Sequence, residues 1–151
     1  MLEIDTPAGM DAYVGRELGH SDWLTVTQEM IDKFADATGD HQWIHIDQDR
    51  AKTDMPGGTT IAHGFLTLSL LPALTSTVYR IRHRLRGVNY GSNRVRFTNP
   101  VPSGSDVRAH LTLQASEPVE GGRRLITDVS VEIKGVSRPA LVAETITVVY
   151  S

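Results

Sequence analysis

Cysteine is absent from the 151 residues. That removes disulfides, thiolate metal sites and cysteine nucleophiles, and leaves the redox compartment open. Excess positive charge is absent too: 15 Lys and Arg stand against 18 Asp and Glu, so there is no basic field to drive nucleic-acid binding. No apolar run is long enough to span a bilayer, because the richest stretch, Ile61 to Leu74, is broken by His63, Thr67, Ser69 and Pro72. Met1 to Met10 carries acids and a proline where a secretory leader would have a basic segment and an apolar run. A cytoplasmic protein with no membrane partner is expected. Repeats and low-complexity tracts are lacking, and the length suits a single domain over residues 1–151 that can bury a core without staples.

What is present falls into two halves. Tyr13-Val14-Gly15 suggests a short edge strand in an irregular lead-in. Thr27 is a good N-cap, and Gln28 and Glu29 suit a first helical turn. Ile31, Phe34, Ala35 and Thr38 then recur at helical spacing until Gly39 stops the helix. Ile46 and Asp47 read as staple and cap for a short helix over Gln48 to Lys52. Thr59 to Leu74 is apolar almost all round a helical wheel, which predicts a long buried helix weakened near Pro72. From Gly87 onward the period becomes two. Val107, Ala109, Leu111 and Leu113 alternate with polar residues, as do Thr127, Val129, Val131 and Ile133, and Leu141 to Tyr150 is the last strand. Helices followed by antiparallel strands predict an α+β fold, a long central helix wrapped by a curved sheet.

The chemistry concentrates in Gly39-Asp40-His41-Gln42-Trp43-Ile44-His45. Asp40 leaves a helix end and His45 follows five positions later, so a carboxylate and an imidazole share one loop anchored by a helix on each side. Such a pair can move a proton onto and off a small substrate. The alternative is that Asp40 caps a turn and His45 is a hydrogen-bonded core histidine. His41 and His45, with Asp40, Asp47 and His63, also raise a metal site, but the stretch reads as a loop and matches no zinc signature, so no metal is expected. His63 reads as support for the loop or as a cap of the central helix.

Phe34-Ala35-Asp36-Ala37-Thr38-Gly39-Asp40 through His45, with Ala51 beyond, resembles the hydratase motif of MaoC-like (R)-specific enoyl-CoA hydratases. Ile61-Ala62-His63-Gly64 resembles the start of their central helix, and Arg96-Phe97-Thr98-Asn99-Pro100-Val101-Pro102-Ser103-Gly104 their later strand and turn. The resemblance covers roughly residues 13 to 150 and implies a hot-dog fold. It also implies that Asp40 and His45 are the catalytic dyad and that the backbone N–H of Gly64 binds the thioester oxygen. Glycine at 64 would let a substrate approach the backbone closely, and close helix packing is the other reason for a glycine there. Where the family motif has Asn-Pro, this chain has Gln42-Trp43. The expected consequence is a differently braced loop, with Trp43 lining an acyl pocket or serving as a core aromatic.

Arg80, Arg82, Arg84 and Arg86 alternate, and Arg94 and Arg96 repeat the spacing. On extended backbone they would share a face, either meeting coenzyme A phosphates or keeping a solvated strand edge positive. The resemblance implies a hydro-lyase for enoyl thioesters of coenzyme A or acyl-carrier protein, with water as co-reactant and no cofactor. It also implies a homodimer joined through its sheets. A hot-dog thioesterase and a non-catalytic acyl-thioester binding module are the competing readings.

Overall fold

The computed structural model describes residues 1–151. The short strand β1 (Leu2–Ile4) and a 3-10 helix (Pro7–Tyr13) lead to β2 (Glu17–His20) and β3 (Leu24–Thr25). Tyr13-Val14-Gly15 is thus a helix end and turn rather than an edge strand, because the proline at the 3-10 helix start favours that turn and Gly15 takes a positive φ of 78°. The first α-helix, α1 (Gln28–Thr38), forms as its pattern dictates. Thr27 accepts the Met30 N–H, Ile31 and Ala35 are wholly buried, and Gly39 closes the helix in the left-handed conformation at φ 82°. Complete burial of a side chain such as Ile31 stabilises by about 1.5–3 kcal/mol.

Two short helices follow, α2 (Trp43–Ile46) and α3 (Gln48–Asp54), the latter capped by Asp47 accepting from the Arg50 N–H. Residues 59–63 depart from the helix expected there. Ala62 donates to the Val101 carbonyl, and Ile61 forms a bridge with Pro102. With its backbone groups already paired sideways and β-branched residues at 59, 60 and 61, this segment stays extended. The central helix therefore starts at Gly64 and is short: α4 (Gly64–Ser69) gives way at Leu70 to α5 (Leu71–Thr75), which has Pro72 in its first turn. Leu66, Thr67, Leu71 and Leu74 are buried, whereas Phe65 is 67% exposed, so the helix is not apolar-buried all round.

The strands β4 (Tyr79–Ile81), β5 (Arg86–Phe97), β6 (Asp106–Val119), β7 (Gly122–Ile133) and β8 (Leu141–Tyr150) complete the chain. The main sheet runs β2-β6-β7-β8-β5, antiparallel throughout, with β3 also against β6; β1 and β4 pair apart from it in parallel. Val107, Ala109, Leu111 and Leu113 of β6 and Thr127, Val129, Val131 and Ile133 of β7 are buried on the face that carries the core, as their alternation predicts. The helical segment α4–α5 packs against β6 and β8. A helix held in the curve of an antiparallel sheet is the hot-dog arrangement. No helix is long and apolar enough to cross a membrane.

β5 is an open edge, exposed along nearly its whole length, with Val88, Tyr90 and Phe97 each at least 44% exposed. On the polar face of the sheet, Glu132 accepts from Arg108 Nε and His110 Nε2, both at 2.7 Å. The His110 hydrogen bond first, and that of Arg108 second, hold its carboxyl below the ordinary 4.5. A lowered folded value means that stability is contributed above the unfolded pKa and lost as pH falls through the folded one. Urea melts should therefore find Glu132→Gln less stable than wild type at pH 7, with the gap closing as pH drops through and below 4.5. A gap independent of pH would contradict this.

Candidate active site

Three segments converge on the site: the α1–α2 loop, the one-turn helix α2, and the extended stretch leading into α4. Asp40 follows the left-handed Gly39 and is exposed; its carboxylate accepts the Gln42 N–H at 3.3 Å. His45, on the single turn of α2, is buried. Its Nδ1 lies 2.7 Å from the Ile61 carbonyl. A carbonyl can only accept, so Nδ1 carries a proton, and in the neutral imidazole Nε2 is the nitrogen with the bare lone pair. One hydrogen bond thus turns the imidazole into a base with a defined acceptor atom.

His63, also buried, touches both Asp40 and His45. Its Nε2–H donates to the Asp40 main-chain carbonyl at 3.0 Å, and its ring stacks on His45 with centroids 3.8 Å apart. The same residue immediately precedes the first turn of α4, and its side chain links the Asp40 loop to the His45 ring. Its side chain thus supports the Asp40 loop; it occupies the N-cap position of α4 but makes no capping hydrogen bond. Gly64 occupies the first position of α4, where the backbone N–H has no intrahelical acceptor and is free for a ligand oxygen.

A metal can be tested on geometry. Asp40, His45 and His63 each bring one ligand atom within 4.8 Å of the others, a set that would suit a divalent ion. The two imidazoles, however, are only 23° from parallel. Ring lone pairs lie in the ring plane, so those of stacked rings run side by side instead of converging, and the group is a poor ligand set. His41 lies outside it: its ring faces Asp36 at 3.0 Å, and that hydrogen bond raises its pKa above the ordinary 6.5.

Trp43 is partly buried and packs against Arg50. The guanidinium of Arg50 lies 3.9 Å from its ring centroid and is itself held by Asp54, so the indole braces α2 against α3. Trp43 is the first residue of α2, the position where proline's fixed φ fits a helix without loss of a hydrogen bond. Proline and tryptophan are therefore both compatible with this position. Gln42 is exposed, and it contributes its backbone N–H to Asp40.

The arginines do not share one face. β4 ends at Ile81 and β5 begins at Arg86, so a turn separates them, and Arg82 pairs there with Asp5 at 3.2 Å. Arg80 and Arg84 line a cavity of about 820 Å³ between α4–α5 and the sheet. Arg86 lies over the Tyr150 ring. Arg94 and Arg96 line a separate groove of about 470 Å³ with His110, Asp128 and Glu144, and Arg94 has a positive φ of 49° where the β5–β8 register slips.

Sequence patterns gave no sign of Phe97 as part of the site. A Cβ built on Gly64 would lie 2.8 Å from the Phe97 ring, so the close approach that requires glycine comes from within the chain.

A carboxylate, two imidazoles and an unpaired helix-start N–H thus meet on a hot-dog scaffold. The comparisons agree. The MaoC like domain matches residues 10–134. The 3-hydroxyacyl-thioester dehydratase Z of Mycobacterium tuberculosis (strain H37Rv) is 48% identical over 147 residues, 97% of each chain. Nodulation protein N of Rhizobium leguminosarum bv. viciae is 49% identical over 94% of this chain and 89% of its own. Among solved structures, R-hydratase PhaJ1 from Pseudomonas aeruginosa superimposes with a TM-score of 0.75 at 23% identity, covering 94% of this chain and 83% of that one. The (R)-hydratase from A. caviae gives 0.66 at 21%, covering 85% and 93%. These last two likenesses carry the fold. The chain belongs to the MaoC-like dehydratase family, and it is a hydro-lyase.

Gly64→Ala keeps the N–H but forces Phe97 aside, which should destabilise the protein by about 1 kcal/mol. Adding Phe97→Ala should abolish that strain, seen as a smaller penalty for Gly64→Ala in the Phe97→Ala background. Equal penalties in both backgrounds, in urea melts, would show that the ring is not the obstacle.

Proposed function

We propose that the protein is an (R)-specific enoyl-CoA hydratase, adding water across the 2,3 double bond of a trans-2-enoyl thioester or running the reverse dehydration. The observation that carries this reading is the locked His45 ring, whose bare Nε2 shares a cleft with the Asp40 carboxylate and lies close to the start of α4. In the hydration direction a water held by Asp40 gives its proton to His45 Nε2 as its oxygen bonds to C3. The electron pair of the double bond moves toward the thioester carbonyl, whose developing negative oxygen accepts the Gly64 N–H. Collapse of that enolate takes the proton from His45 to C2. Because one imidazole takes and returns the proton on one side of the substrate, addition is syn. Loss of a single such N–H donor typically costs about 10²- to 10³-fold in rate. The dipole of the short α4 adds little beyond that donor.

The 48% identity to a 3-hydroxyacyl-thioester dehydratase supports an acyl thioester substrate. Arg80 and Arg84, which line the cavity beside α4–α5, are the arginines we assign to coenzyme A phosphates. The open β5 edge and the exposure of Asp40 and Phe65 support a homodimer in which a second copy shelters the site.

The test is loss of enoyl-thioester absorbance when the purified protein meets crotonyl-CoA and longer enoyl-CoA substrates. Asp40→Asn and His45→Ala, shown to be folded, should each lower kcat by about 10²- to 10⁴-fold, the usual contribution of a general acid or base. Release of free coenzyme A would favour the thioesterase reading. Tight binding without turnover would favour a binding module.

A further inference from the structure

The hydrogen bond that fixes the His45 tautomer joins two short segments, the four-residue α2 and the extended residues 59–63. Neither is long enough to be rigid by itself, since a single helical turn is not stable in isolation. Something must hold the two in register. The backbone supplies one tie, Ile61 N–H to the Ile44 carbonyl at 3.0 Å. A second tie comes from a side chain in neither segment. Gln28, the first residue of α1, donates through Nε2 to the His45 main-chain carbonyl at 2.8 Å, while its Oε1 accepts the hydroxyl of Thr60. Its remaining N–H meets Asp32 at 2.9 Å, one turn on in α1.

Both N–H donors and the carbonyl oxygen of this amide are therefore engaged, in fixed directions. Thr60 is 1% exposed, and its carbonyl is itself held by the Ser103 N–H. The amide thus joins the residue that carries the imidazole to the residue next to the carbonyl that imidazole donates to. We propose that Gln28 is a positioning residue for the reaction: with Thr60 it cross-braces the His45 Nδ1–H to Ile61 hydrogen bond and so keeps Nε2 bare and aimed at the substrate water. It touches neither substrate nor reacting atoms. The inference rests on the hydratase reading for its kinetic consequence, but its structural core, the tautomer lock, is independent of what the substrate is.

Three substitutions separate positioning from mere stability. Gln28→Met keeps the length and volume of the side chain and removes every hydrogen bond. Thr60→Val removes the hydroxyl at constant shape, and Thr60→Ser restores it. The readouts are steady-state kinetics on an enoyl-CoA and long-range ¹H–¹⁵N spectra of the histidine rings, which report which ring nitrogen carries the proton. In wild type, His45 is the Nδ1–H tautomer. In Gln28→Met and Thr60→Val we expect a mixture of tautomers, with kcat lowered about tenfold and KM changed less than twofold; Thr60→Ser should match wild type in both.

The double variant Gln28→Met/Thr60→Val should lose no more than either single one, because both remove the same brace. If Gln28→Met fails to fold, the Thr60 pair alone decides the matter. An unaltered His45 tautomer with kcat within twofold of wild type in Thr60→Val would overturn the proposal, as would equal losses in Thr60→Val and Thr60→Ser. Wild-type protein that turns over no enoyl thioester would sink the hydratase reading instead, while the spectra would still decide whether the brace fixes the ring.

Discussion

The hydrogen bond from His45 Nδ1 to the Ile61 carbonyl is the constraint on which the rest of the site depends. It sets the proton on one ring nitrogen, frees the other, and ties the loop after α1 to the segment that becomes α4. A neutral hydrogen bond of this kind contributes only about 1 kcal/mol to stability. Its importance lies in geometry, since a displacement near 1 Å at a reacting centre can cost about a hundredfold in rate. The fold surrounds the bond with supports that have no partner in the chemistry: His63 stacked on the ring, Gln28 and Thr60 across its ends, and the Trp43–Arg50 contact beneath α2.

That dependence explains a feature of the central helix. A helix running from Thr59 would have turned the Ile61 carbonyl into its own ladder and left the imidazole without an acceptor. The extended stretch before Gly64 instead presents the Ile61 carbonyl to His45, gives the Ile61 N–H to the Ile44 carbonyl, and pairs Ala62 and Thr60 with Val101 and Ser103. The delayed helix start also brings the Gly64 N–H to the same cleft. A short helix is the consequence, and the site gains from it.

Much of this was legible in the sequence. The N-cap at Thr27, the stop at Gly39, the cap at Asp47 and the alternation in β6 and β7 follow from local rules, and each has the form expected. That Asp40 and His45 would come together was legible from their shared loop, and the fold places them within 4.8 Å of each other with His63. The start of the central helix was not, because an apolar run reads alike as buried helix and buried strand until long-range partners are known. The arginine face failed for a related reason: alternation over residues 80–86 presumes continuous extended backbone, and the turn between β4 and β5 breaks it. Gln28 gave no signal beyond suiting a helix start, since its partners lie 17 and 32 residues away.

The account stands or falls on one imidazole moving one proton on one face of the substrate. The most direct test is to run the wild-type reaction on crotonyl-CoA in D₂O and read the product by NMR. The account predicts an intact thioester carrying an (R)-hydroxyl at C3 and a single deuterium at C2 on the same face. Deuterium on the opposite face, or on both faces, would contradict it, as would hydrolysis of the thioester.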